Sequence, residues 1–479
     1  MSTMSEPNTH NTLYHEVADR VMGLIEAGTY APGSRIPSIR SLSNQLAVSV
    51  NTVKEAYWLL ETRKVIEGRP QAGYFVRRLV PGRPLGDGVA AQEIVPRTIH
   101  PNHICSSTLP RDTPYHAPEL AKGSPDHQLF PLRRLSANLA AVTRQAALAS
   151  ISYADTRGVD ELREQIARQA VEAGIFLSPD DFLVTNGCME AIVLAIQVVC
   201  RPGDTIAVES PGYYDFLSLL ENQGLKVVEI PVSPEGGMNL DILEWVLDNH
   251  TVSAVLTIPT YNNPMGSCMP PERRETLVGM LSRRGITLIE DDVYGELSFA
   301  GNRPKACKAW DKDGTVIYCS SVSKTLAPGY RIGWVSGGRW HERIHWQKRL
   351  VSVATSTPPQ LAVAWYLKED NYARHLRNLR ARLAENTGAM AALIADSFPS
   401  GTRLSRPAGG FFLWLELPET IDTMKLYENA QTEGIFFRPG RIFSAGNKFG
   451  NCLRLCSGSW NPAIEAAVAR LGELARVMA

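Results

Sequence analysis

Most of this 479-residue chain predicts an α/β fold built on a mostly parallel sheet. A small helical unit stands ahead of it and a smaller α+β unit at its end. Three observations carry that prediction. From about residue 110 onward, short β-branched apolar runs alternate with amphipathic helical stretches. Five of those runs are followed at once by short polar segments. Residues from about 12 to 76 have another texture, compact and helical, closing on a Gly-containing hairpin.

Composition bounds the reading. At roughly 150 residues per domain the length suggests about three compact units. Hydrophobic residues at 44% and charged residues at 20% are ordinary globular values, which exclude a disordered chain or a rod. Lys+Arg and Asp+Glu are 49 each, so any nucleic-acid binding must come from a local patch. No apolar run approaches the roughly 18 residues of a membrane span, and Met1 to His10 lacks the features of a signal peptide. The eight cysteines are scattered without a Cys-x-x-Cys pair, a pattern of reduced thiols that predicts a cytoplasmic protein; no metal is expected.

The N-terminal unit, 12–78, reads as follows. Ser38 can cap a helix in which Ile39, Leu42 and Leu46 share a face. The turn Ala47-Val48 leads to Ser49, a cap for a second helix whose Val53, Ala56, Tyr57 and Leu60 share a face. Residues 65–76 read as strand, turn and strand, with Gly68, Pro70 and Gly73 as turn residues. Two short helices, a tight turn and a hairpin make a winged helix-turn-helix. Segment 79–108 is rich in Pro, Gly and basic residues and reads as a linker. An irregular strap on the next domain is the competing reading for part of it.

The remainder, 109–479, carries seven predicted strands at 183–185, 206–208, 227–230, 254–258, 287–289, 316–318 and 333–335. Amphipathic helices fall between several of them, at 190–200 and 271–284 for example. A further strand at 409–415 belongs to the smaller unit, about 350–479. In open parallel sheets ligands bind beyond the carboxyl ends of the strands. Here those ends deliver Asn186-Gly187-Cys188-Met189, Pro211-Gly212-Tyr213, Asn262-Asn263-Pro264-Met265-Gly266, Asp291-Asp292-Val293-Tyr294 and Ser320-Ser321-Val322-Ser323-Lys324 to one rim.

These residues carry two resemblances. Ile36-Pro37-Ser38-Ile39-Arg40-Ser41-Leu42, then 48–57 with its Asn51-Thr52-Val53-Lys54, then Gly73-Tyr74-Phe75-Val76, resemble the DNA-binding domain of the GntR family of bacterial regulators. The resemblance implies that Asn51, Thr52 and Lys54 face the major groove, that Arg40 and the wing residue Arg69 hold the backbone, and that Ser38 and Ser49 cap the two helices. Val50 stands where relatives usually carry a base-reading Arg, which points to a different operator or weaker direct readout.

The rim segments, in their order, resemble fold-type I pyridoxal 5'-phosphate (PLP) enzymes, the class I/II aminotransferases. The resemblance implies a Schiff base between Lys324 and the cofactor aldehyde. It also implies that Asp291 faces the pyridine nitrogen, that Asn263 and Tyr294 face the ring oxygen, and that Tyr213 stacks on the ring, with Tyr214 as runner-up. Gly187, Cys188 and Met189 would hold the phosphate by their N–H groups, aided by Ser321, Ser323 and Arg331. Arg454 would grip an effector carboxylate, and Tyr153 would reach the phosphate of a neighbouring subunit. Cys188-Met189 departs from the usual Ser/Ala-Gln, and Met265 from the usual Thr. A GntR-type reader joined to such a domain resembles the MocR subfamily of regulators. That implies a head-to-tail homodimer, double-stranded operator DNA and a small amino-compound effector. An active PLP-dependent aminotransferase with an accessory DNA-binding domain is the alternative, and a PLP-free scaffold a third reading.

Overall fold

The computed structural model describes residues 13–26, 29–30, 34–62, 65–69, 73–76, 83–84, 94–99 and 120–479. The chain divides into two compact units, Met1–Pro81 and Gly82–Ala479. Among the described residues no helix is long and apolar enough to cross a membrane.

In the first unit the helices Leu13–Glu26, Ile39–Leu46 and Val50–Thr62 precede strands β1 (Ile66–Arg69) and β2 (Gly73–Val76). Both caps form as the sequence predicts. Ser38 Oγ accepts from the N–H of Ser41 at 3.2 Å, and Ser49 Oγ from that of Thr52 at 3.0 Å. Ala47 takes a left-handed backbone in the turn between them. Val53, Ala56, Tyr57 and Leu60 are all buried against Val17, Val21 and Leu42. The Tyr57 hydroxyl reaches the carbonyl of Pro37 at 2.7 Å, which ties the third helix to the start of the second. β1 and β2 pair antiparallel, and Ser34–Ile36 adds to the outer side of β2 through the N–H groups of Ile36 and Val76.

The second unit carries β3 (Arg83–Pro84), β4 (Arg97–Thr98), β5 (Leu183–Asn186), β6 (Thr205–Ser210), β7 (Lys226–Ser233), β8 (Gly237–Met238), β9 (Ala254–Thr257), β10 (Thr287–Asp291), β11 (Val316–Ser321), β12 (Ile332–Ser336), β13 (Arg403–Leu404), β14 (Phe412–Glu416), β15 (Arg438–Pro439) and β16 (Cys452–Cys456). The large sheet runs β4-β7-β6-β9-β10-β11-β12-β5, with β8 on β7. All seven predicted strands are in it, and β4 and β8 add two residues each. β7, β6, β9, β10 and β11 are mutually parallel, while β12 runs antiparallel to both β11 and β5. The central strands are buried end to end, as continuous apolar runs covered on both faces require.

The smaller sheet runs β15-β16-β14-β13-β3 and packs with the helices Tyr372–Ser397, Thr423–Thr432 and Pro462–Met478. Two pieces of the segment read as linker, β3 and β4, are therefore strands of this unit, paired with β13 and β7. Most of the rest of 79–108 lies outside the described residues. Two predicted boundaries move. The helix read from 190 begins at Cys188, because Gly187 at φ +81° ends β5 and opens the helix directly. The strand read from 409 begins at Phe412, because Gly410 takes a positive φ and Gly409 is pressed against the Tyr261 ring.

Candidate functional site

Five parallel strand ends meet on one edge of the large sheet, and the side chains they carry form one buried constellation. Asp291 ends β10 and is 4% exposed. It accepts from Cys188 Sγ at 3.3 Å and from the N–H of Val293 at 3.2 Å, and desolvation pushes its carboxyl up to about 6. Tyr294, also buried, hydrogen-bonds Asn263; burial and the nearby Asp291 push its phenol up, so it stays protonated. Lys324 follows β11, and its Nζ donates to the carbonyl of Gly123 at 2.6 Å. Desolvation lowers the Lys324 pKa, against the pull of Asp291, which favours the neutral, nucleophilic amine.

Arg454 lies on β16 and is 0% exposed. Its Nη1 donates to Asn263 Oδ1 at 3.1 Å and its Nη2 to the carbonyls of Ala121 and Lys122 at 2.6 and 3.0 Å, while its Nε has no partner. Its Cζ lies 4.4 Å from the centre of the Phe412 ring. All of these partners are neutral. A buried guanidinium held only by neutral groups carries a large desolvation cost, and burial lowers its pKa. An anionic group seated there would offset that cost.

Gly187 caps the helix Cys188–Val199 at φ +81°, a conformation that side-chain-bearing residues rarely adopt. A Cβ there would lie 2.2 Å from the Arg331 guanidinium. A Cβ on Gly333 would lie 2.5 Å from the Gly187 backbone. Two bare glycine positions and an exposed arginine thus frame the N-terminus of that helix, where free N–H groups and the helix dipole favour an anion. Arg331 sits at a positive φ and donates to the carbonyl of Asn186 at 3.0 Å. Ser321 and Ser323 are buried beside it, with the Ser323 N–H on Ser321 Oγ at 3.3 Å. Glu190 holds the turn from below by accepting from the Asn186 side-chain amide at 3.1 Å. The site therefore has what PLP chemically needs: an amine, a buried acid, a phenol–amide pair and an anion cradle.

The remaining predicted residues have the following surroundings. The Cys188 side chain points at Asp291 and away from the phosphate cradle, and burial raises its thiol pKa. Tyr213 starts the helix Tyr214–Asn222; its hydroxyl donates to Asp215 and its ring meets Tyr214 and Phe216 edge-on. Tyr153 is 89% exposed. Met189 is half-buried against the core. The sequence reading missed the segment 120–126, which crosses the site and is fixed at both ends. The N–H of Cys456 donates to Leu120 and that of Asp126 to the carbonyl of Gly458. It acts through backbone carbonyls, so no side-chain type announces it. It also missed Glu209, buried at the end of β6, which accepts from Thr257 and the Ile258 N–H and is pushed by burial up to about 7.

On the first unit, Asn51, Lys54 and Arg40 are exposed. Neither Lys54 nor Arg40 has an acidic partner among the described residues. The Thr52 hydroxyl lies 2.8 Å from Ser49 Oγ and is shared with the cap. Arg69 closes β1 opposite Gly73, and its side chain lies outside the described residues. No cluster of metal-ligating side chains occurs among the described residues.

Fold and site together define a helix-turn-helix protein that carries an aminotransferase-type domain. The model for aminotransferases of class I and II matches residues 123–471, and that for bacterial regulatory proteins of the gntR family matches 13–76. The HTH-type transcriptional regulators YjiR and YdcR of Escherichia coli are each 36% identical, covering 96% of this chain and 98% of theirs. LysN, an α-aminoadipate aminotransferase from Thermus thermophilus solved with N-(5'-phosphopyridoxyl)-L-leucine, superposes with TM-score 0.72 at 29% identity, covering 76% of this chain and 92% of that one. The chain belongs to the MocR type of HTH regulators, which join a GntR reader to a class I/II aminotransferase domain.

Proposed function

We propose that this regulator binds operator DNA through its N-terminal unit and holds PLP in its large unit, where it senses a small amino compound. The observation that carries the reading is the pairing of a desolvated amine, Lys324, with a desolvated guanidinium, Arg454, beside the buried acid Asp291. Amine, acid and carboxylate-binding group are the three functions that recognition of an amino acid by PLP requires.

Bound there, PLP supplies an aldehyde that condenses with amines and a ring that withdraws electrons when its nitrogen is protonated. The chain's own groups set the conditions. Burial weakens the hold of Lys324 on its proton, which favours the amine over the ammonium. Asp291 holds a proton at the ring nitrogen; a cation there would stabilise its ionised form and bring its raised pKa down. Tyr294 stays protonated and donates at the ring oxygen, with Asn263 beside it. The N–H groups at Gly187, Cys188 and Met189, with Ser321, Ser323 and Arg331, receive the phosphate. Arg454 orients the effector through its carboxylate. With PLP held there, an effector amine would take the place of Lys324 at the aldehyde and so alter the charge and contacts of that side chain, the change that would be passed to the reader as a population shift.

A homodimer completes the proposal. Leu148, Ile151 and Tyr153 are exposed, as are Trp346, Leu350, Val351 and Val353 on and after the helix His341–Val351. Thr156 and His345 join the two segments by a hydrogen bond of 2.6 Å. A second copy covering this face would give Tyr153 its neighbour. The setting is the bacterial cytoplasm, where the DNA lies. The test is binding of the purified chain to the DNA beside its own gene, with and without PLP and with candidate amino compounds. Affinity or footprint should change with the amine only when PLP is present. Identical binding in all conditions overturns the reading. The intact constellation, and relatives such as the aromatic-amino-acid aminotransferase 1 of Thermococcus litoralis at 34% identity, favour one second reading, an active aminotransferase. Sustained turnover with an amino acid and a keto acid would establish it, whereas a half-reaction that stops would leave the sensor reading.

A further inference from the structure

Cys188 joins the anion cradle to the buried acid. It opens the helix Cys188–Val199, so its N–H lies in the cradle, and its thiol donates to Asp291 Oδ1 at 3.3 Å. The main chain that carries it is pinned on both sides. Thr185 Oγ1 donates to the Gly187 carbonyl at 2.9 Å, and β12 lies so close that a Cβ on Gly333 would stand 2.7 Å from the Cys188 nitrogen. Cys188 itself is 7% exposed. With its turn pinned, the thiol meets the acid at a set distance from the cradle.

Asp291 depends on that contact. Among the described residues its carboxyl accepts from Cys188 and from the Val293 N–H, and both bonds fall on Oδ1. The other ionisable groups that act on it are Asp292 and Lys324, with Tyr294, Cys319 and Glu209 around them. Two of these are acids, which donate nothing when ionised. Lys324 turns its Nζ to the Gly123 carbonyl, and Tyr294 bonds Asn263. A carboxylate taken out of water stays ionised only where donors hold it. Here one backbone N–H and one thiol oppose the push of burial.

We infer that Cys188 is a positioning residue that acts through Asp291: its thiol holds Oδ1 and favours the ionised carboxyl, which leaves Oδ2 to the ring nitrogen of the cofactor. The inference rests on the PLP reading above for its consequence and adds the residue that tunes the acid. An ionised carboxylate keeps the ring nitrogen protonated, and that proton is what makes the ring withdraw electrons. One residue thus serves the phosphate end through its main chain and the nitrogen end through its side chain.

The experiment uses the full-length chain with and without PLP. In the cofactor-free chain Cys188→Ala removes the donor. It should lower the melting temperature by about 1 °C more at pH 7.5, where Asp291 is ionised, than at pH 4, where it is protonated. In an Asp291→Asn background that excess should vanish, and Cys188→Ser, which returns a donor, should recover most of it. With PLP bound, the pH midpoint of the cofactor absorbance should rise by roughly half a unit or more in Cys188→Ala and return toward wild type in Cys188→Ser. A side chain that only fills space would give a loss of stability independent of pH. An equal loss at both pH values, an excess that persists in the Asp291→Asn background, or an unmoved absorbance midpoint overturns the inference. If the chain takes up no PLP, the cofactor reading fails alone, and calorimetry still decides whether the thiol holds the acid.

Discussion

The cations proposed for binding stand in opposite states in the two units, and the contrast suits them to two unlike anions. Lys54 and Arg40 of the first unit stand in solvent without acidic partners among the described residues. Arg454 of the second is 0% exposed, held by neutral oxygens. A solvated cation costs little to keep and gains little from any one anion, so it suits a polymer of phosphates, where many weak contacts add and counterions are released. A desolvated cation is costly to keep and gains much from one matched carboxylate. The first arrangement yields salt dependence and the second yields chemical selectivity.

The largest effect that can break this contrast lies at Lys324. Lys324→Ala should abolish covalent retention of PLP, read as loss of the bound-cofactor absorbance and of the mass adduct after borohydride reduction; an adduct that persists would place the reactive amine elsewhere. Next comes the buried acid. A carboxyl whose folded pKa is raised, from 3.8 to about 6 for Asp291, contributes stability at low pH that is lost as pH rises between those values. At about 1.4 kcal/mol per unit that is on the order of 3 kcal/mol by pH 7. Asp291→Asn should therefore stabilise the cofactor-free chain at pH 7.5 but not at pH 4, by calorimetry, while weakening PLP retention. A stability gain of the same size at both pH values would remove the titration from the account.

Arg454→Met should follow, weakening effector binding by about 2 kcal/mol or more, roughly thirtyfold, while leaving the melting temperature of the ligand-free chain unchanged or raised. A falling melting temperature would mean that the arginine is structural. The smallest effects belong to the reader. Lys54→Ala and Arg40→Ala should each weaken operator binding by on the order of 1 kcal/mol, about fivefold, and lower the salt slope by about one. Loss of affinity with an unchanged slope would mean that these residues do not touch phosphate.

How much of this was legible in the sequence follows the kind of atom involved. The strand ends were legible because burial on both faces demands continuous apolar runs, and the polar residue that breaks each run marks the rim. The caps at Ser38 and Ser49 were legible because a hydroxyl at a helix start has one local use. Segment 120–126 was not, because it contributes backbone carbonyls that every residue carries. The turn of Cys188 toward Asp291 also needed three dimensions, because 103 residues separate the two partners.

Segment 120–126 touches both of the site's basic side chains. Gly123 accepts from Lys324, while Ala121 and Lys122 accept from Arg454, so a single short stretch of backbone latches both groups that an amino acid must engage. The amine and the guanidinium are therefore tied to the same few carbonyls, and a change at either is felt by the other through one stretch of main chain.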